Sequence, residues 1–250
     1  MQRRSWILLA LGVYLVALVT LLPASVVLRA IPLPRGSALG HVTGTLWQGH
    51  VDSLAVAGLE VRDLAFEFQP LALLQARIAY RLNSAVDGPV VVKGVVWVSP
   101  RRFGGEGVTV QLAAQSVANL IALPLPVNAA GSVRLDVAAG KSGKPWCDTL
   151  NGSLSWEDAV IHNRMMRAPL SMGPYHVALS CNDQGEILAH ITDPGPLGLQ
   201  GDVRLVADRG YHLNLDIQPA PSVPADIREG LAFFGEPKGN GYVVELQGNL

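Results

Sequence analysis

The stretch Asp208-Arg209-Gly210-Tyr211-His212-Leu213-Asn214-Leu215-Asp216-Ile217 decides the fold class. Tyr211, Leu213, Leu215 and Ile217 alternate with His212, Asn214 and Asp216. A period of two puts the apolar side chains on one face of a strand and the polar ones on the other. That is the habit of antiparallel sheets with one solvated side. Asp208-Arg209-Gly210, just before it, supplies residues that tolerate a tight turn.

The same pattern recurs along the chain. Leu64, Phe66 and Phe68 alternate with polar or small residues, as do Ile78, Tyr80 and Leu82. Val108, Val110 and Leu112 follow, then Val133, Leu135 and Val137. Tyr175, Val177, Leu179 and Cys181 come next, then Ile187, Ala189 and Ile191, and Val203 with Leu205. Tyr242, Val244 and Leu246 close the series. Asn83, Asp87-Gly88, Asn182-Asp183 and Asn240-Gly241 stand between these runs as hairpin signals. The expectation is a mainly β protein with ten or more short antiparallel strands, arranged as a curved sheet or a sandwich.

Short helices are expected at residues 69–76, 114–122 and 224–234, the last with a proline start and a glycine stop. Gly131-Ser132-Val133-Arg134-Leu135 resembles Gly201-Asp202-Val203-Arg204-Leu205, but no strict period makes a solenoid. Residues 139–145, rich in Gly, Lys and Pro, are the best internal boundary. They divide a first β region, 36–138, from a second, 146–250, or form one long hairpin loop.

Composition sharpens the class. Of 250 residues, 49% are apolar and 16% charged, with a net charge of −1, 26 glycines and 17 prolines. Disorder needs low hydrophobicity and high net charge, and a nucleic-acid binder needs a basic excess. Neither fits. A disulfide miniprotein needs more than two cysteines. An outer-membrane barrel needs strands of about ten residues and aromatic girdles, whereas aromatics are 6% here.

The amino terminus reads as a membrane signal. Arg3 and Arg4 precede an apolar run from Trp6 through Leu22, continued past Pro23 by Val26, Val27 and Leu28. No charge falls between Arg4 and Arg29. At 1.5 Å per residue, positions 6–28 reach across the ~30 Å hydrocarbon core. The run is longer than the usual cleaved signal, and Leu22 occupies a place where cleavage needs a small residue. The expectation is an uncleaved anchor at 6–28, with residues 1–5 in the cytoplasm and the rest exported. A cleaved signal and a buried core helix are the alternatives.

Cys147 and Cys181 suit an exported chain, since two thiols in an oxidising compartment tend to pair. Two buried free thiols are the alternative. No CxxC is present for redox chemistry, and no paired spacing for zinc. There is no phosphate loop, no GxGxxG, no HExxH and no GxSxG. His41, His50, His162, His176, His190 and His212 are scattered, and the last three fall on the solvated phase of their strands. No catalytic, cofactor-binding or metal-ligating set is assigned. Asn151-Gly152-Ser153 is a glycosylation triplet whose Asn-Gly also suits a turn. Trp47, Trp97, Trp146 and Trp156 are core packing or part of an apolar docking surface.

A family resemblance joins these pieces. After the arginine-flanked apolar run come Gly44-Thr45-Leu46-Trp47-Gln48-Gly49 and the strand run 59–70. Gly195-Pro196-Leu197-Gly198-Leu199-Gln200-Gly201, residues 231–235, Gly241-Tyr242 and a final Gly248-Asn249-Leu250 follow in order. Over nearly its whole length the chain resembles the type II secretion system protein N family, and Gly-Thr-Leu-Trp-x-Gly is the most specific piece. The resemblance implies a single-pass protein of the bacterial inner membrane with a periplasmic β-rich domain. It implies a non-enzymatic accessory role beside other type II secretion proteins, with no cofactor and no catalytic residues to carry over. Gly44, Thr45, Leu46, Trp47, Gln48 and Gly49 are then the candidate docking surface. The competing expectation is a membrane-anchored periplasmic β-groove that binds or transfers lipid, distinguished by whether the apolar phase is covered or lines an open groove.

Overall fold

The computed structural model describes residues 6–7, 10, 12, 14, 18, 20–30, 36–120, 128–162, 169–221, 223, 228 and 235–249. The chain divides into two compact units, residues 1–92 and 93–250.

The first unit is built on β3 (Gln48–Val56), β4 (Leu59–Phe68) and β5 (Ile78–Asn83), paired antiparallel in that order. Two short strands, β1 (Ala38–Leu39) and β2 (Val42–Gly44), pair along the other side of β3. Together they cover its edge from Gly49 to Ala55. Ala57 and Gly58 close the β3–β4 hairpin with φ of 52° and 83°. Two positive φ angles are what a two-residue hairpin of matching twist requires. The expected helix at 69–76 is a 3-10 helix, Pro70–Gln75, ended by Ala76 in the left-handed conformation. β6 (Val90–Val98) begins in this unit, beside β4 at Val61. There the Val92 N–H donates to the buried Ser84 hydroxyl at 2.7 Å.

The expected anchor over 6–28 needs correction. Trp6, Ile7, Ala10, Gly12, Tyr14, Leu18 and Thr20 have helical backbone, and the other positions between 6 and 20 lie outside the described residues. The helix does not continue to Leu28. The backbone leaves it at Leu21–Pro23, and a separate seven-residue helix, Ala24–Ala30, follows. Pro23 has no N–H to continue the ladder. Instead, Leu22 C=O accepts from Leu46 N–H at 2.9 Å, and Pro23 bridges Thr45. Ala24 is fully buried against Val42, Val51 and Leu64, with Leu28 packed beside them. The last residues of the apolar run therefore belong to the core of this unit. Among the described residues, no helix is long and apolar enough to cross a membrane.

The second unit holds the rest of β6 and a meander. Its strands are β7 (Phe103–Ala113), β8 (Asn128–Ser142), β9 (Cys147–His162), β10 (Leu170–Cys181), β11 (Ile187–Ile191), β12 (Leu199–Leu205) and β13 (Gly210–Ile217). Each pairs with the next, all antiparallel. β14 (Glu236–Lys238) and β15 (Gly241–Asn249) finish the chain, with β15 lying between β13 and β14. A helix, Ala114–Leu120, follows β7 where the apolar spacing predicts one. The expected helix at 224–234 falls outside the described residues except for Arg228.

The strands are longer than the sequence suggests. β8 has 15 residues and β9 has 16. Register shifts between Ala130 and Ser132 and between Val137 and Ala139 insert extra residues. Each bulge flips the in–out phase, so one long strand reads as two short ones. Residues 139–145 lie within the β8–β9 hairpin, and Asn151-Gly152 sits inside β9 rather than at a turn. The two matching sequence pieces also match in backbone. Gly131 and Gly201 both have positive φ, and a Cβ on either would strike backbone of the neighbouring strand.

Candidate docking surfaces

Gly44–Gly49 forms the β2–β3 hairpin of the first unit. Thr45 N–H donates to Gln48 C=O at 2.9 Å, and Gln48 N–H returns to the Thr45 hydroxyl at 3.4 Å. Gly44 has φ 88°, and a Cβ there would press on Gln48 C=O. A Cβ on Gly49 would meet the Phe66 ring and Thr43 C=O. The two glycines of the motif are therefore dictated by backbone approach. Trp47 is half-buried, its ring edge-on to Phe68 at 5.0 Å, and Phe68 in turn meets Tyr80 at 5.6 Å. Trp47 C=O accepts from Phe68 N–H at 2.7 Å. The motif thus ties a hairpin to an aromatic row on β4 and β5.

In the second unit, register turns the alternating residues into continuous apolar rows. Val108, Val137, Gly152, Leu179, Ala189, Val203, Leu213 and Leu246 face one another in succession from β7 to β15. A second row runs Val110, Leu135, Leu154, Val177 and Ile191. At the far end, Tyr175 and Trp156 reach a buried cluster with Ala159, Met172, Leu197 and Val223. Elsewhere the rows are half-covered. Val108, Val137, Leu179, Val203 and Leu213 are all half-buried, and Leu246 is 50% exposed. An apolar hollow of about 300 Å³ opens among Val96, Phe103, Val137, Trp146, Leu150 and Ile187, with Lys141 at its side. Arg102 and Lys141 both pair with Asp148, at 2.8 and 3.4 Å.

The opposite face is polar. Asp202, Arg204, His212, Asn214, Glu245 and Gln247 line a concavity of about 670 Å³. His190 Nδ1 lies 2.6 Å from Asp202 Oδ1, both exposed. Sequence spacing could not reveal this pair, because it depends on the β11–β12 register. Its acids and His212 stand open to water. That arrangement lacks the water exclusion that strengthens charge stabilisation. Among the described residues, no group of three His, Cys, Asp or Glu side chains is placed to hold a metal.

Farther along the same face, Asp136 accepts from Arg134 Nε and from the Thr109 hydroxyl, both at 2.7 Å. The Arg134 bond first, then the Thr109 bond, holds its carboxyl below the usual range. A carboxyl lowered by folding contributes stability above its unfolded pKa and loses it as pH falls through the folded value. Asp136→Asn should therefore flatten the decline in stability below about pH 4. The effect is small because the side chain is 41% exposed. Urea midpoints measured from pH 7 downward check it.

Cys147 and Cys181 are joined in a disulfide, with Cα atoms 6.1 Å apart.

Comparison with known proteins places these features. The family described as "Type II secretion system (T2SS), protein N" matches residues 35–245. A protein of Aeromonas hydrophila named "Type II secretion system protein N" is 30% identical over 97% of this chain and 96% of its own. A protein of the same name from Vibrio cholerae serotype O1 is 28% identical over 95% of each. No solved structure matches the chain significantly.

Proposed function

Because the chain belongs to the type II secretion system protein N family, we propose that it is a non-enzymatic accessory component of the type II secretion machinery. It is held at the bacterial inner membrane by its amino-terminal apolar run and presents a periplasmic β surface to other secretion proteins. The observation that carries this reading is the family match across residues 35–245. The anchor is supported by the uncharged stretch from Trp6 to Leu22 and by the exposure of Trp6, Ile7, Tyr14, Leu18 and Leu21. The Gly44–Gly49 hairpin is the proposed contact, because it is a hydrogen-bonded turn that carries the half-buried Trp47.

Deletion of the gene tests the role. Exoproteins should accumulate in the periplasm and fall in the medium. Unchanged secretion together with unchanged assembly of the other components would sink it. A photo-crosslinker at Trp47 should capture another secretion component, and capture of none would remove the hairpin as the contact.

One observation favours a second reading, a lipid-holding groove: the apolar rows of the second unit are half-covered, and the hollow beside Phe103 is apolar. Native mass spectrometry of the gently extracted full chain decides it. Absence of co-purifying acyl lipid removes the groove.

A further inference from the structure

Large aliphatic side chains stand open at one end of the first unit. In the 3-10 helix Pro70–Gln75, Leu71 is 76% exposed and Leu74 86%, and Leu73 and the nearby Ile78 are exposed too. Single exposed apolar residues are ordinary, but a contiguous group of them marks a surface that something covers. No charge falls between Glu67 and Arg77, and no acid between Glu67 and Asp87. The turn also bonds its own backbone. Ala72 N–H donates to Gln69 C=O at 3.1 Å, Ala76 N–H to Leu73 C=O at 2.9 Å and Arg77 N–H to Ala72 C=O at 3.1 Å. The amino-terminal apolar run stops at this same end of the sheet. Leu22 C=O accepts from Leu46 N–H, and Trp47 C=O accepts from Phe68 N–H. Phe68 ends β4 and Pro70 opens the helix, while Gln69 N–H donates to Ala79 C=O at the start of β5. Through these links Leu22 and Pro70 are no more than about 25 Å apart.

We propose that Leu71, Leu73, Leu74 and Ile78 dip into the interface of the bilayer that holds the amino-terminal run, and so give the first unit a second membrane contact. The inference rests on the proposed anchor. Composition separates a bilayer from a protein as the occupant. Protein interfaces are enriched in Trp, Tyr, Phe, Met and Arg, and leucine is under-represented among the residues that carry their binding energy. The exposed group here is leucine and isoleucine, and no aromatic residue or methionine stands between Phe68 and Tyr80. Uncharged aliphatic side chains enter hydrocarbon readily, and an interfacial element needs to reach only about 5–10 Å into it. The internal backbone bonds of the turn lower the cost of bringing its peptide groups there. Arg77 follows the group, as basic residues do where an apolar face meets anionic headgroups. With the run and the leucines both seated, the sheet end that carries Trp47 is held against the bilayer and cannot swivel about a single span.

Fluorescence of the full chain in vesicles of phosphatidylethanolamine and phosphatidylglycerol tests it. A nitrobenzoxadiazole label is placed on one new cysteine at a time, Leu74→Cys, Val86→Cys or Tyr14→Cys, with Cys147 and Cys181 left in their disulfide. Val86 is as open as Leu74, but it follows Ala85, whose N–H bonds Arg62 C=O, about 20 Å back along β4 from Phe68. The Leu74 label should emit to the blue and lose most of its emission when spin-labelled lipid enters the bilayer, and the Val86 label should do neither. Leu71→Glu with Leu73→Glu, both at exposed positions, should restore the Leu74 emission while circular dichroism stays unchanged. A Leu74 label that spin-labelled lipid leaves bright overturns the inference. The Tyr14 label, inside the apolar run, then tells which reading failed: quenched, the anchor stands without the second contact; bright, the anchor falls as well. Equal quenching at Leu74 and Val86 overturns the inference too. So does a blue-shifted Leu74 label that lipid does not quench, which marks a protein, such as a second copy, as the occupant.

Discussion

Tyr175→Ala should lower the stability of the second unit by about 3–5 kcal/mol, the cost of emptying a buried aromatic site. The Tyr175 ring is 7% exposed and packs with Ala159, Met172, Leu197 and Val223, all buried. It also stands directly opposite Trp156 across β9 and β10, with ring centroids 6.3 Å apart. Val133 faces Trp156 from β8, so one aromatic pair joins three strands. Removing the ring leaves a cavity that these neighbours cannot close, because Trp156 is held by its Nε1 bond to Ala130 C=O at 3.0 Å. Tyr175→Phe keeps the ring and should stay within about 1.5 kcal/mol, as volume-conserving swaps do. His176→Ala, one position along on the exposed face, should change stability by less than about 0.5 kcal/mol. Urea unfolding of the full chain followed by tryptophan fluorescence separates the three. Equal midpoints for Tyr175→Ala and His176→Ala would show that this cluster is not the core of the unit.

The contrast between positions 175 and 176 is the part of the fold that the sequence states openly. Alternation tells in from out along a strand, and His176, His190 and His212 are exposed as their phase requires. Three things were not legible, each for a physical reason. Strand length was hidden because extra residues, at Ala138 in β8 and opposite Gly131 in β9, reverse the phase inside these strands. The end of the amino-terminal helix was hidden because hydropathy does not register a lost N–H. Pro23 redirects the Leu22 carbonyl to the Gly44–Gly49 hairpin, and Ala24 then enters a core rather than a bilayer. The surfaces were hidden because they are properties of register. Val108 and Leu246 lie in one row only after seven strand pairings, and His190 meets Asp202 only through one of them. The motif itself was legible as a motif, but its glycines are explained by backbone approach and its Trp47 by the Phe68 ring.

The second large effect is redox-dependent. Replacing Cys147 and Cys181 by alanine together, or reducing the pair, should cost about 3–4 kcal/mol in the chain-entropy model, for a closed loop whose ends are 34 residues apart. Cys147 opens β9 and Cys181 closes β10, so the bond joins the two strand ends farthest from the connection between them. That connection includes residues 163–168, and the loop it helps to close spans both long strands. The native state needs little rearrangement without the bond. Asn182 holds the adjoining turn through its Oδ1, which accepts from Gln184 and Glu186 N–H at 3.0 and 2.9 Å. Cys147 N–H donates to Gly185 C=O at 3.1 Å. The loss should therefore appear as a lower midpoint with an unchanged circular dichroism spectrum, because the gain lies mainly in a less disordered unfolded chain. Chain produced in a reducing cytoplasm should melt like the double variant and recover on oxidation. Chain exported to an oxidising compartment should melt high from the start. If reductant leaves the midpoint unmoved, the Asn182 turn and the β9–β10 ladder hold the hairpin ends unaided, and the two cysteines contribute nothing to the stability of this unit.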